Sequence, residues 1–165
     1  MQTSRQVNRL LHDEHMHVQR LLERLGHLLR QDHADVLAAP EPETIGFLVE
    51  LAGVLQHGLA RHFRFEEEDL FPRLADAGEA DMVALLREEH EVLLPLAAEL
   101  LPQVRQALAG TLAAADWRSF RRLGLEFAER QTDHIEKEEM ALLPSLELML
   151  DEREDQHICA AYQTA

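Results

Sequence analysis

His62 and Glu66 stand four residues apart in the segment His62-Phe-Arg-Phe-Glu66-Glu-Glu-Asp-Leu-Phe-Pro72. The same arrangement returns as His134-Ile-Glu-Lys-Glu138-Glu-Met-Ala-Leu-Leu-Pro144, and a shift of 72 positions superimposes His, both Glu, Leu and Pro. On a helix, positions i and i+4 are neighbours about 5–6 Å apart at Cβ, so each pair could present an imidazole and a carboxylate to one point. Those two groups together are ligands for first-row transition metals. Two further histidines, each preceded by glutamate, lie 75 apart: Glu14-His15 and Glu89-His90.

The elements that must position these groups can be read from apolar periodicity. A first helix, from about Ser4 (a plausible N-cap) to Arg30, carries Leu11, Val18, Leu22, Leu25 and Leu29 on one face. His15 fills the gap in that stripe. The stretch Gln31 to Thr44, with Pro40 and Pro42, reads as a connecting loop. A second helix, about Glu43 to Leu70, aligns Leu48, Leu51, Leu55, Leu59, His62, Glu66 and Leu70. Pro72 is expected to end it or mark a bend, with a turn at Ala77-Gly78.

The third helix, about Asp81 to Leu108, aligns Val83, Leu86, His90, Leu93, Ala97, Leu100 and Val104. Pro95 and Pro102 lie within it at about 3 kcal/mol each in an isolated helix. Both sit farthest from the stripe, where they would bend the helix on its wet convex side; a broken helix is the other reading. After a loop at Ala109 to Ala115, a fourth helix from Asp116, its expected N-cap, runs through Pro144. Trp117, Phe120, Phe127, Gln131, His134, Glu138 and Leu142 define its face. Residues 145–161 read as a short fifth helix or a fraying tail.

Four long helices with short connections fit an all-α, up-down-up-down bundle, with internal two-fold character from a duplicated hairpin. The 165 residues are expected to form one domain, a bundle over about 4–144 with a C-terminal extension over 145–165. Each of the four helices then places a histidine on its inner stripe, and two add a glutamate one turn later. Buried without a cation, the two carboxylates would cost several kcal/mol each, on the order set by desolvation. No Lys or Arg interrupts the inner stripes to offset them. Arg64 and Lys137 face elsewhere by phase, and Glu67, Glu68 and Asp69 fall to solvent.

Four histidines and two glutamates exceed one tetrahedral zinc but suit two metals, each with two imidazoles and a share of two bridging carboxylates. Iron leads on this ligand set, with manganese or zinc behind it. Leu11, Val18, Leu55, Leu59, Leu86, Leu93 and Phe127 would wall the site. Gln131, one turn before His134, is either a hydrogen-bonding neighbour of the site or a core-edge glutamine. His57 is a spare histidine considered as a seventh ligand, although its phase is about 140° from His62.

The wider composition excludes several function classes. A formal net charge of −15 argues against nucleic acid and anionic membrane surfaces. The single Cys159 cannot form an internal disulfide and is expected to pack as a small apolar residue. No apolar run is long enough to cross a bilayer, and the first residues lack the apolar core of a signal peptide, so a cytoplasmic protein is expected.

Taken as a set, Glu14-His15, His62-x-x-x-Glu66 ending Leu-Phe-Pro, Glu89-His90 and His134-x-x-x-Glu138 ending Leu-Leu-Pro resemble the hemerythrin HHE cation-binding family. The resemblance covers about residues 7 to 144. It implies a four-helix bundle around a non-haem di-iron centre, oxo- or hydroxo-bridged, bound by His15, His62, Glu66, His90, His134 and Glu138. It also implies binding of, or reaction with, O2, peroxide or NO. The alternative is non-catalytic binding of iron or another divalent cation for sensing or buffering.

Two departures bear on that expectation. Leu94 stands where the oxygen carriers have a second histidine on the third helix, and Glu138 follows His134 by four rather than an aspartate by five. One histidine fewer implies a more open site, which weighs against simple oxygen carriage and towards redox or sensing chemistry. Family members that repair iron–sulfur centres have a cysteine-bearing N-terminal segment. This sequence starts almost directly at helix one, so that role is not expected.

Overall fold

The apolar stripes close into five helices in the computed structural model, which describes residues 5–31 and 40–164 and holds no strand among them. Helix α1 is Gln6–Leu29 and α3 is Ala80–Leu108. Helix α2 spans 42–76, its α-helical stretches Pro42–Gly53, Leu59–Phe65 and Phe71–Asp76 joined by wide turns at Val54–Gly58 and Glu66–Leu70. Helix α4 spans 117–149, with Trp117–Lys137 and Leu143–Met149 joined by a wide turn at Glu138–Leu142. Helix α5 is Glu152–Thr164. Among the described residues no helix is long and apolar enough to cross a membrane.

Several expected boundaries move, each for a physical reason. Pro42 sits in the first turn of α2, where a missing N–H costs nothing, so the helix begins inside the expected loop; residues 32–39 of that loop, like Ser4, lie outside the described residues. Pro72 does not end α2, and Pro144 does not end α4. A proline clashes with the carbonyl four residues back, and a turn widened by one residue relieves this. Here Phe71 N–H bonds to the Glu66 carbonyl and Leu143 N–H to that of Glu138, five residues back in both cases. Both helices therefore continue past their prolines. Helix α3 is unbroken, with Pro95 and Pro102 exposed.

Asp116 precedes α4 in helical conformation and its side chain makes no cap bond. Helices α2 and α3 end in glycines that adopt positive φ, Gly78 (101°) and Gly110 (65°). Each closure lets the following N–H reach back five residues, Glu79 to Leu74 at 2.9 Å and Thr111 to Gln106 at 2.9 Å.

The stripes bury as the periodicity implied, but they form two apolar clusters rather than one. The first gathers Leu22, Leu25, Leu51, Leu59, Leu93, Phe120 and Phe127 among others. The second gathers Val7, Leu11, Phe71, Leu86, Leu142 and Leu146 with Ile158, Cys159 and Tyr162 from α5. Helix α5 is thus packed core and not a fraying tail. Between the clusters lies a layer of buried polar side chains contributed by α1 to α4.

Helix α5 also completes the other end of the chain. No side chain of α1 caps its own first turn; instead Gln6 and Val7 donate backbone N–H bonds to the Asp155 carboxylate at 2.8 and 2.9 Å, and Arg5 N–H donates to Glu147 at 2.9 Å. Asp155 is buried, so its two acceptors and negative charge act on the helix N-terminus with little competition from water. Replacing Asp155 by Ala should lower unfolding stability by about 1–2 kcal/mol, with the denaturant midpoint falling at constant m value. An unchanged midpoint would show that the cap does not stabilise the bundle.

Candidate metal centre

The six residues singled out by spacing come together in the polar layer. His15, His62, Glu66 and Glu138 form one group of convergent ligand atoms, and Glu66, His90, His134 and Glu138 form a second; within each group these atoms lie within 4.8 Å of one another. All six residues are buried. The two carboxylates belong to both groups. Glu66 sets Oε1 3.4 Å from His62 Nε2 and Oε2 3.4 Å from His90 Nε2. Glu138 sets Oε2 3.1 Å from His15 Nε2 and Oε1 2.8 Å from His134 Nε2. The imidazoles meet in pairs through the same edge, His15 Nε2 to His62 Nε2 at 3.4 Å and His90 Nε2 to His134 Nε2 at 3.2 Å.

Whether these residues fit a cation can be decided from the carboxylates. Both are fully buried, and none of their four oxygens has a hydrogen-bond partner. The nearby imidazole nitrogens approach without hydrogen-bonding geometry. Buried polar atoms are ordinarily paired, because an orphaned one carries its whole desolvation cost. Lone pairs of oxygen and nitrogen converging on shared points, with no protein donor aimed at them, fit a divalent or trivalent metal.

The outward nitrogens are all occupied. His62 Nδ1 meets Glu14 at 2.8 Å, His90 Nδ1 meets Glu67 at 2.7 Å, His134 Nδ1 meets Glu89 at 2.7 Å and His15 Nδ1 meets Glu139 at 2.6 Å. The pattern is a closed ring, with α1 supplying the carboxylate for α2, α2 for α3, α3 for α4 and α4 for α1. A carboxylate on Nδ1–H fixes the tautomer, so that Nε2 presents its lone pair inward, and raises the basicity of that nitrogen. Outside the ring stand Arg61 on Glu14 (3.1 Å), Arg87 on Glu67 (3.7 Å), Lys137 on Glu89 (2.6 Å) and His12 on Glu139 (3.0 Å).

Burial by itself would raise the Glu138 carboxyl, yet His134, His15 and His90 hold it well below the usual carboxylate range. Burial disfavours charged His62, but Glu66 and Glu14 outweigh it and hold the imidazole well above its ordinary value. His15 is raised against its burial by Glu138 and Glu139. Against burial, Glu138, Glu66 and Glu67 lift His90 to about 9. Every one of these shifts has the same origin, a site richer in negative than positive charge, where protons take the place that a metal cation would fill.

Four residues that touch the site were not assigned there from sequence. Glu67 was placed in solvent by helical phase, but its side chain reaches across to α3. Glu14 and Glu89 were visible only as the residues before His15 and His90, and Glu139 only as the repeat of Glu67. The signal was present in the duplicated Glu-His and Glu-Glu dipeptides. Phe63 was missed as well: its ring stacks on His90 with centroids 3.7 Å apart and planes 7° apart, while Phe71 covers the imidazole at 5.6 Å. His57 is exposed and belongs to neither group.

Gln131 is buried and its Oε1 has no partner. It lines, with His15, His62, Val18, Gly58 and Leu59, a pocket of ≈ 310 Å³ that reaches the His15–His62 half. On the opposite side, a groove lined by Leu85, Glu89, Val92, Leu93 and Lys137 includes neither His90 nor His134.

Compared with known families, residues 6–146 match the model described as hemerythrin HHE cation binding domain. The chain belongs to that family. No curated protein and no solved structure matches it.

The histidine shifts set a pH dependence for metal-stripped protein. His90 binds its proton more tightly when folded (about 9) than at the ordinary value of 6.5, so its contribution to stability is complete below pH 6.5 and is lost as pH rises through 9. His62 and His15 add in the same direction, whereas Glu138 stabilises above the ordinary carboxylate value of 4.5 and less as pH falls through its depressed value. Melting temperature of the stripped protein should fall between pH 6.5 and 9; a flat or rising profile would contradict the charge balance described.

Proposed function

We propose that this member of the hemerythrin HHE family holds two iron ions, one between His15 and His62 and one between His90 and His134, with Glu66 and Glu138 shared by both. The observation that carries this reading is the sharing itself. Each carboxylate turns one oxygen towards each histidine pair, and all four oxygens lack a protein donor. A ligand set of imidazole and carboxylate with no thiolate favours iron, with manganese or zinc as weaker fits. The up-down-up-down course of the long helices belongs to the same reading. Its support is that cross-helix contacts run in opposite sequence directions, as in Arg24–Glu43 with Glu14–His62, and Gln103–Ser119 with Glu89–His134.

Bound iron would supply redox chemistry and coordination positions for a small exogenous molecule such as O2, peroxide or NO. The chain's own part is access, orientation and exclusion of water. Access favours the His15–His62 side, where the pocket is lined by both histidines. The difference between the halves follows from the repeat. Ile135 lines the pocket, and 72 positions earlier stands Phe63, whose ring lies flat on His90. Gln131 likewise corresponds to Leu59, and both line this one pocket, whereas neither lines the groove on the other half.

Metal analysis of natively purified protein together with its absorption spectrum tests this function. Two irons per chain and a near-ultraviolet charge-transfer band that disappears on stripping are expected. Less than one metal per chain, with iron-treated protein remaining colourless, would overturn it. Peroxide turnover above that of free iron would separate a reactive centre from cation binding for sensing or buffering.

The amide of Gln131 has a consequence of its own. A hydrogen bond to a charged group such as the azide anion contributes about 1.5–3 kcal/mol net, so Gln131→Leu should weaken azide binding to the iron-loaded protein about tenfold to a hundredfold at unchanged iron content. Equal azide affinity in both proteins would leave Gln131 as a packing residue.

A further inference from the structure

Helix α5 lies beyond residues 6–146 that match the family, yet one of its side chains reaches the hydrogen-bond ring around the site. Tyr162 is 3% exposed, and its hydroxyl stands 2.8 and 2.7 Å from the two oxygens of Glu14, the carboxylate that receives His62 Nδ1–H. Arg61 ties the assembly together. Its Nη2 donates to Glu14 at 3.1 Å and to the Tyr162 hydroxyl at 3.2 Å, and its guanidinium lies over the Tyr162 ring at 4.5 Å. Phe65 packs on the same ring at 4.2 Å. The tyrosine is thus held by packing and by a cation, and its proton faces one carboxylate.

The other three carboxylates of the ring differ. Glu89 carries Lys137, Glu67 carries Arg87 and Glu139 carries His12. Glu14 combines a cation with a buried hydroxyl donor. Burial and the Glu14 charge both keep the Tyr162 hydroxyl protonated far above neutral pH, so it acts as a donor throughout the working range.

We propose that Tyr162 is a positioning residue that acts through Glu14 on His62 and raises the reduction potential of the metal in the His15–His62 half. This rests on the di-iron reading above. The physical chain is short. A hydroxyl donating to Glu14 withdraws charge from the carboxylate and makes it a weaker acceptor for His62 Nδ1–H. The imidazole is then less electron-rich at Nε2, and the metal it binds favours the reduced state. In the His90–His134 half, no side chain of α5 among the described residues donates to Glu67 or Glu89. The duplicated hairpin would therefore hold two chemically unequal metals, and the inequality would come from a helix outside the duplication.

Tyr162→Phe removes the hydroxyl and keeps the ring between Phe65 and Arg61. Two readouts are needed, one of which does not depend on iron. In proton NMR spectra of the metal-stripped protein, the His62 Nδ1–H resonance should move downfield in Tyr162→Phe as its bond to Glu14 strengthens, while that of His134 stays in place. In a spectroelectrochemical titration of the iron-loaded protein, the variant should show a lower reduction potential than the wild type.

Ile158→Val is the packing control, since it loosens α5 without touching Glu14, and it should leave both readouts at wild-type values. An unmoved His62 resonance, or equal potentials at equal iron content, would overturn the proposal while leaving the di-iron reading intact. Equal changes in Ile158→Val and Tyr162→Phe would reduce the role of Tyr162 to packing. Failure of the wild type to take up iron would overturn the di-iron reading, and the claim about potential with it.

Discussion

Two carboxylates at zero exposure, with four oxygens and no protein donor among them, are the constraint around which this chain is built. A buried carboxylate without a partner costs several kcal/mol, of the order of the whole stability margin of a domain. Arginine or lysine could have met that cost from within the bundle, but the structure keeps Arg61, Arg87 and Lys137 on the rim, each on an outer carboxylate. What faces Glu66 and Glu138 instead is a set of four imidazole edges. Those edges can take protons, which accounts for the raised histidines, or they can share a metal. Both outcomes draw positive charge to the same place, and the second satisfies nitrogen and oxygen lone pairs at once.

The outer carboxylates turn this demand into a specific geometry. An imidazole on a helix can rotate about two bonds, and only one orientation presents Nε2 to the centre. Each histidine is held in that orientation by the neighbouring helix, and the ring closes because every helix both gives and receives. Removing one member would release a ligand on the next helix along. The ring explains why Glu precedes His15 and His90, and why a second Glu follows Glu66 and Glu138. The wide turns that start at Glu66 and Glu138 serve the same layer. They carry the helix axis through Pro72 and Pro144 just beyond the point where each of the two helices contributes two carboxylates in succession.

Much of this was legible in the sequence, and the rest failed for identifiable reasons. The inner stripes of α1 to α4 obeyed helical periodicity, so His15, His62, Glu66, His90, His134 and Glu138 could be named from spacing. Phase reasoning then misplaced Glu67, because consecutive residues diverge by about 100° on a helix while a long side chain can still cross to the adjacent helix. Pro72 was read as a stop or a bend and Pro144 as the last residue of its helix, since a one-residue widening of the preceding turn leaves no local signature. Helix α5 was undervalued for a different reason. Its decisive contacts, Asp155 on the first turn of α1 and Tyr162 on Glu14, join residues nearly the full chain length apart. No local pattern records such pairs.

The polar layer divides the core in two, with Phe63 from one cluster and Phe71 from the other covering opposite sides of His90. Ligands drawn from four helices would make metal binding and bundle stability one event, whatever the metal then does. Thermal stabilisation by iron is therefore common to a buffering protein and to a reactive one, and has no power to choose between them. The asymmetry is what supports the reactive reading proposed above. Its elements are a ≈ 310 Å³ pocket against one histidine pair, a glutamine in the lining of that pocket, and a phenylalanine ring stacked on His90 of the other pair. Those three features break a two-fold pattern that the duplicated sequence otherwise keeps. They break it on the side of the layer that the pocket reaches.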